Sequence, residues 1–268
     1  MILHTFHPTS IAFQAGAIQI HWYGIFISLG VLLGLLVALK IGKKYNVGSN
    51  EIFDLAFYSL IFGIIGARIF YVLYNFSYFK LHWVEIFKVW QGGVASHGML
   101  LFGFLTIWLY CKIKKLNLGL IFDLAFTSLV FGQFIGRWGN YFNQELFGRP
   151  TSLPWGIPID PINRPAIFEN YQYFHPAFLY ESIYCLAIFF FLLYLWNRRS
   201  KIQPDKIKYG AIALAYFFLY SCFRFGIEFI RVDSVPVFLH LRIMQWFSLA
   251  IILSCILVYL YYYRRKKV

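Results

Sequence analysis

Seven apolar stretches, most of them near the twenty residues that span hydrocarbon, dominate this 268-residue chain and exclude an ordinary soluble fold. They cover residues 18–39, 51–75, 97–110, 119–136, 176–196, 210–230 and 243–263. Only 13% of the residues are charged and 60% are hydrophobic, too little polar surface for a water-soluble domain of this size. The pattern predicts an all-α, polytopic membrane protein with seven transmembrane helices, a single integral membrane domain over residues 1–268. The N-terminal residues lack the basic start of a cleaved signal peptide, so the first apolar run is expected to be a permanent span.

The formal charge of +13 would suggest nucleic acid in a soluble protein, but its distribution says otherwise. Lys40, Lys43 and Lys44 follow the first span, and Lys112, Lys114 and Lys115 follow the third. Arg198, Arg199, Lys201, Lys206 and Lys208 follow the fifth, and Arg264, Arg265, Lys266 and Lys267 close the chain. These are 15 of the 24 basic residues, all on one side. Basic loops stay cytoplasmic, which predicts a cytoplasmic C-terminus, an outer N-terminus and no nucleic-acid partner. The outer side carries two long loops, 76–96 and 137–175. Their tryptophans, Trp83, Trp90, Trp138 and Trp155, suit the headgroup layer, and residues 80–89 could form a short interfacial helix.

An internal repeat runs through the spans. Residues 52–68 align without a gap on 121–137, with 11 of 17 positions identical, including Asp54 on Asp123 and Arg68 on Arg137. Each copy leads through an outer loop to a histidine at the next span, His97 or His175. Two parallel repeats, 52–112 and 121–196, are therefore expected, with Arg68 and Arg137 at similar depth.

The residues that could carry chemistry collect at the outer ends of the spans. Arg137 stands where the fourth span runs out, followed by Asn140, Asn143, Glu145 and Gly148 in a stretch too rich in glycine to read as plain helix. A guanidinium at the edge of hydrocarbon is costly and needs a partner or a task. Arg224, Glu228 and Arg231 share one helical face. Arg68, Arg137 and Arg224 read either as ion pairs between helices or as an anion site, since the guanidinium fork matches phosphate oxygens. At this depth the natural anion is a phospholipid headgroup. His97, after Gly92-Gly93, reads as a helix-start residue or as a general base. Tyr23 reads as an aromatic-belt residue. Cys111, Cys185, Cys222 and Cys255 lie in apolar segments and read as buried residues rather than disulfides or metal ligands. Nothing suggests a metal or an organic cofactor, and no serine or cysteine is placed as an obvious nucleophile. A lipid transporter or flippase and a seven-helix receptor are the rival classes; the outer bias of the polar residues disfavours a path across the membrane.

The segment Gly136-Arg137-x-Gly139-Asn140-x-x-Asn143-x-Glu145-x-x-Gly148-Arg149 resembles the signature of the bacterial phosphatidylglycerol–prolipoprotein diacylglyceryl transferases. Supporting matches are Trp22-Tyr23-Gly24, Gly66-Ala67-Arg68 with Tyr71, Gly92-Gly93 with His97-Gly98, His175-Pro176 with Leu179-Tyr180-Glu181, and Arg224-x-x-x-Glu228-x-x-Arg231. Met99 and Met244 depart from the pattern, each standing where a glycine is common. The resemblance implies a bacterial plasma (inner) membrane enzyme acting at the outer face. It would transfer the sn-1,2-diacylglyceryl group from phosphatidylglycerol to the lipobox cysteine thiol of a prolipoprotein, releasing glycerol 1-phosphate. It further implies that Arg137 binds the headgroup and Arg224 assists on the phosphate, with Arg68, Asn140, Glu145, Gly148, Glu228 and Arg231 around the lipid. His97, Tyr23 or a lipid oxygen would serve the thiol.

Overall fold

The computed structural model describes residues 2–16, 18–89, 92, 93, 95–201 and 208–264. Trp90, Gln91, Lys206, Arg265, Lys266 and Lys267 lie outside the described residues. The long helices are α2 (Trp22–Lys44), α3 (Ser49–Tyr74), α5 (Ser96–Lys114), α6 (Leu118–Phe142), α7 (Ala177–Lys201), α8 (Ala211–Ile227) and α9 (Ile243–Arg264). Short helices α1 (Ile2–Thr5) and α4 (Phe76–Phe79) accompany them. Among the described residues, five helices, α2, α3, α6, α7 and α9, are long and apolar enough to cross a membrane; α8 is apolar but shorter, at 17 residues. The protein is a mostly helical membrane protein.

Three two-stranded antiparallel ribbons modify the all-α expectation: β1 (Ile11–Ala15) with β2 (Ile18–His21), β3 (Ile157–Pro158) with β4 (Tyr173–Phe174), and β5 (Val237–Phe238) with β6 (Leu241–Arg242). Residues 18–21, expected to open the first span, are therefore strand, because Ile11–Ala15 offers them a ladder. Residues 80–89 hold only a 3-10 helix, Trp83–Phe87, instead of an interfacial α-helix. The fourth span does not stop at Gly136 but runs six residues further, to Phe142. Gly139 is a contact rather than a breaker: a Cβ there would sit 2.8 Å from Tyr23 Cδ2.

The described chain forms two compact units. In Leu35–Ala125, α3 and α5 pack through small residues. A Cβ on Gly66 would overlap Phe102, and one on Gly98 would overlap the Gly66 carbonyl. Without a hydrophobic drive between helices in lipid, such close backbone approach supplies the attraction. Away from Gly66, Tyr110 donates a hydrogen bond to Asp54 Oδ2 at 2.8 Å.

The other unit combines Met1–Gly34 with Phe126–Val268. Gly30 and Gly34, spaced four apart on α2, face Gly132 and Ser128 on α6. Ser182 on α7 donates to the Phe134 carbonyl at 2.9 Å, and the Trp196 indole donates to Thr127 Oγ1 at 2.9 Å. Beyond the helix ends, the 137–175 segment builds a small head around Tyr141, Phe147, Ile157, Ile159, Phe174 and Phe178. Gln144, buried, ties this head together. Its amide nitrogen donates to the Pro8 carbonyl and to Asp160 Oδ2, and its oxygen accepts from the Asp160 backbone.

Candidate anion-binding site

The ends of α6 and α8 bring two of the expected residues, Arg137 and Arg224, into one cluster with Glu181 of α7, and the residues just after α8 add Glu228 and Arg231. Arg137, on the last turns of α6, pairs through Nη2 with Glu181 of α7 at 2.6 Å. The same nitrogen donates to the Tyr220 hydroxyl of α8 at 3.1 Å. Glu181, whose side chain is 3% exposed, also faces Arg231 at 3.2 Å and Arg224 at 3.9 Å. Arg224 pairs with Glu228 at 3.0 Å, Glu228 with Arg242 at 3.2 Å, Arg242 with Asp233 at 3.4 Å, and Asp233 with Arg231 at 2.8 Å.

These contacts close on themselves. Glu181, Arg224, Glu228, Arg242, Asp233 and Arg231 form a ring of alternating charge, three cations and three anions. Arg137 hangs from Glu181 as a fourth guanidinium outside it. The closed ring is electrically neutral, so the cluster carries one surplus positive charge. Burial pushes the Asp233 carboxyl upward, but the Arg231 hydrogen bond and the charges of Arg231 and Arg242 outweigh it. Its pKa stays below the ordinary carboxylate range, so this member of the ring is ionised at neutral pH. Arg242 is fastened further: it donates to the carbonyls of Glu228, Arg231 and Asp233, and its own backbone N–H reaches Gln245 Oε1.

Two features suit an anion. Arg224 Nη1 is buried and makes no hydrogen bond, with Glu181 Oε1 no closer than 3.9 Å. Among the described residues, Arg137 makes its polar contacts through Nη2. Two guanidinium forks with open donors and one uncompensated charge suit a phosphate group. Tyr23, in the first turn of α2, packs on Gly139, the residue before Asn140. Asn140 Nδ2 donates to Glu145 Oε1 at 2.7 Å while the Glu145 N–H reaches the Asn140 carbonyl at 3.0 Å, a reciprocal pair that closes α6.

The other expected residues make contacts of their own. Gly148 is part of the head. It bridges Arg231, its N–H donates to the His175 carbonyl, and a Cβ there would lie 2.6 Å from Ile230 Cγ2 and 2.7 Å from His175 Cβ. Gly148→Ala should therefore cost about 1–3 kcal/mol in stability, read as a lower thermal midpoint. Gly226→Ala is the control: open space surrounds it, and it sits in a helix, where alanine should gain up to about 1 kcal/mol. Equal midpoints for the two variants would contradict this reading. His175 contacts the Tyr180 hydroxyl, which accepts from the Trp155 indole, and burial lowers the His175 imidazole pKa.

In the Leu35–Ala125 unit, His97 is exposed in the first turn of α5. Arg68 spends its guanidinium on backbone: Nε donates to the Ile86 carbonyl at 2.8 Å, Nη1 to Gly92 and Gly93, and Nη2 to Glu85. Tyr71 and Phe79 also pack on its guanidinium. It therefore serves as a clasp on the 85–93 loop in this structure. Lysine keeps the charge but cannot span four carbonyls. Arg68→Lys is expected to accelerate amide exchange in that loop, and unchanged protection would argue against the clasp.

Glu181, Tyr220, Asp233 and Arg242 were not among the residues expected in the site. A signal existed for two of them. Glu181 is the lone acid in the apolar run of α7, and Arg242 is a basic residue immediately before the apolar run of α9. Among the described residues no group of His, Cys, Asp and Glu is placed to hold a metal.

Comparison with known proteins agrees with this chemistry. The family model described as prolipoprotein diacylglyceryl transferase matches residues 10–261. A protein named phosphatidylglycerol–prolipoprotein diacylglyceryl transferase from Prochlorococcus marinus (strain MIT 9301) is 39% identical, over 86% of this chain and 82% of its own length. One of the same name from Synechocystis sp. is 38% identical over 92% and 86%, and one from Thermotoga maritima is 40% identical over 84% and 75%. With a match over nearly the whole chain and relatives near 40% identity, the chain belongs to the prolipoprotein diacylglyceryl transferase family.

Proposed function

We propose that the protein transfers the sn-1,2-diacylglyceryl group of phosphatidylglycerol to the lipobox cysteine thiol of a prolipoprotein, at the outer face of a bacterial plasma membrane. The observation that carries this is the surplus guanidinium on a closed, neutral charge ring, beside a second arginine with an open buried donor. That arrangement suits a phosphodiester that becomes a phosphate monoester. As the thiolate attacks the glycerol carbon, a C–S bond forms, the C–O bond to phosphate breaks, and glycerol 1-phosphate leaves with the added charge. Arg137 and Arg224 take up that charge. The thiol proton passes to a base, for which His97, Tyr23 and a lipid oxygen are the candidates; a thiol otherwise titrates near pH 8.5. The nucleophile comes with the second substrate, so the enzyme needs none of its own.

In this reading the chain is one transferase domain, with parallel repeats at 52–112 and 121–196. All seven long helices span, α5 and α8 included. The lysines that end α2 and α5, with Arg198, Arg199 and Lys201 at the end of α7, mark the cytoplasmic side. The charge ring lies at the opposite helix ends, toward the outer leaflet. Purified protein, incubated with phosphatidylglycerol and a lipobox peptide, should yield a thioether-linked diacylglyceryl peptide and glycerol 1-phosphate in equal amounts. Lipid movement between leaflets without that product would reject transfer in favour of a flippase.

A further inference from the structure

The β5–β6 hairpin carries two unfavourable features that its own fold does not offset. Its register, Val237 with Arg242 and Phe238 with Leu241, leaves Leu239 and His240 as a two-residue turn with both φ positive, 48° and 61°. Such turns favour Asn-Gly, because a branched apolar side chain crowds the backbone there. The same tip exposes Val237, Phe238 and Leu239, each more than 60% accessible. Water penalises the exposed side chains and the turn is sterically disfavoured, yet the base of the hairpin is firmly held. The Ile243 N–H reaches the Pro236 carbonyl, the Trp246 indole donates to the Phe238 carbonyl, and Arg242 closes the charge ring with Glu228 and Asp233.

We propose that this hairpin is a bilayer foot: Val237, Phe238 and Leu239 insert among the lipids of the leaflet beside the charge ring, and this contact holds Arg242 in place. The occupant is lipid because the exposed tip continues an apolar surface, from Phe229 just past α8 to Phe247 and Leu253 on the membrane-spanning α9. Trp246, in the first turn of α9, stands where an indole marks a membrane interface. Lipid would reward the exposed apolar side chains that a turn of Asn-Gly lacks. Lipid contact is argued independently of the reaction; its effect on the site rests on the phosphate reading of the arginines.

The test uses the full chain in vesicles of phosphatidylglycerol and phosphatidylethanolamine, with Phe238 replaced by the photocrosslinker p-benzoylphenylalanine. Irradiation is expected to give adducts with the mass of a phospholipid. Adducts only within the chain, or to a second copy, would overturn the foot. The double variant Leu239→Asn, His240→Gly relaxes the turn and removes its apolar tip. It should melt no lower than the parent in detergent, while its KM for phosphatidylglycerol in vesicles rises several-fold. Lipid adducts with an unchanged KM would overturn the coupling to Arg242. A parent protein inactive in transfer would strike the proposed reaction, while the adducts would still decide the foot.

Discussion

Arg137→Ala is expected to abolish diacylglyceryl transfer while leaving the protein folded in the membrane. The magnitude follows from the charge balance. Removing one preorganised donor to a developing oxyanion costs about 10²–10³-fold in turnover, and this variant removes a whole fork together with the only surplus charge. Folding is spared for a separate reason. Arg137 hangs outside the ring, so Glu181 keeps Arg224 and Arg231 as partners after its loss. Arg137→Lys should also be at least about tenfold below wild type, because a point charge cannot replace two parallel donors. Purified variants, assayed for thioether product and compared by thermal midpoint, decide the matter. Wild-type turnover by the alanine variant would remove Arg137 from the reaction.

Glu181→Ala should be the most destabilising change in the cluster. This carboxylate is almost fully buried and faces Arg137, Arg224 and Arg231. Deleting it leaves three guanidiniums without their shared anion, and breaking a buried pair from one side costs about 3–5 kcal/mol. The alanine variant is expected to lose transfer and to unfold earlier in denaturant. Removing Arg137 at the same time relieves one unpaired charge, so Arg137→Ala in the Glu181→Ala background should cost less stability than expected from the singles. Additive losses would show that the two side chains do not share a stabilising contact.

Much of the site was legible in the chain. Arg137, Arg224, Glu228 and Arg231 stood out because a charge near hydrocarbon demands a partner or a task, and the structure joins all four. Helix spacing placed Glu228 beside Arg224 correctly. What misled was local reading of glycine. Gly139 looked like the end of a helix, yet α6 continues because the position is filled by Tyr23 from α2. Gly148, expected around the lipid, bridges Arg231 of the ring, and a Cβ there would meet Ile230 and His175.

The repeat makes the limit clearest. Arg68 and Arg137 end matching stretches, yet the four residues before each differ, and one clasps loop carbonyls while the other pairs with a carboxylate. Setting His97 on His175 puts Gly103 where the second copy has Glu181, so the first copy offers no acid at that register. The chain by itself determined the apolar helices and the arginines that invite an anion, because these follow from transfer energies and from spacing along one helix. Only the tertiary structure decided which arginine keeps a surplus charge. A ring of ions drawn from α7, α8, the loop after α8 and β6 depends on side chains up to about sixty residues apart meeting within a few ångströms, and no local pattern encodes that distance.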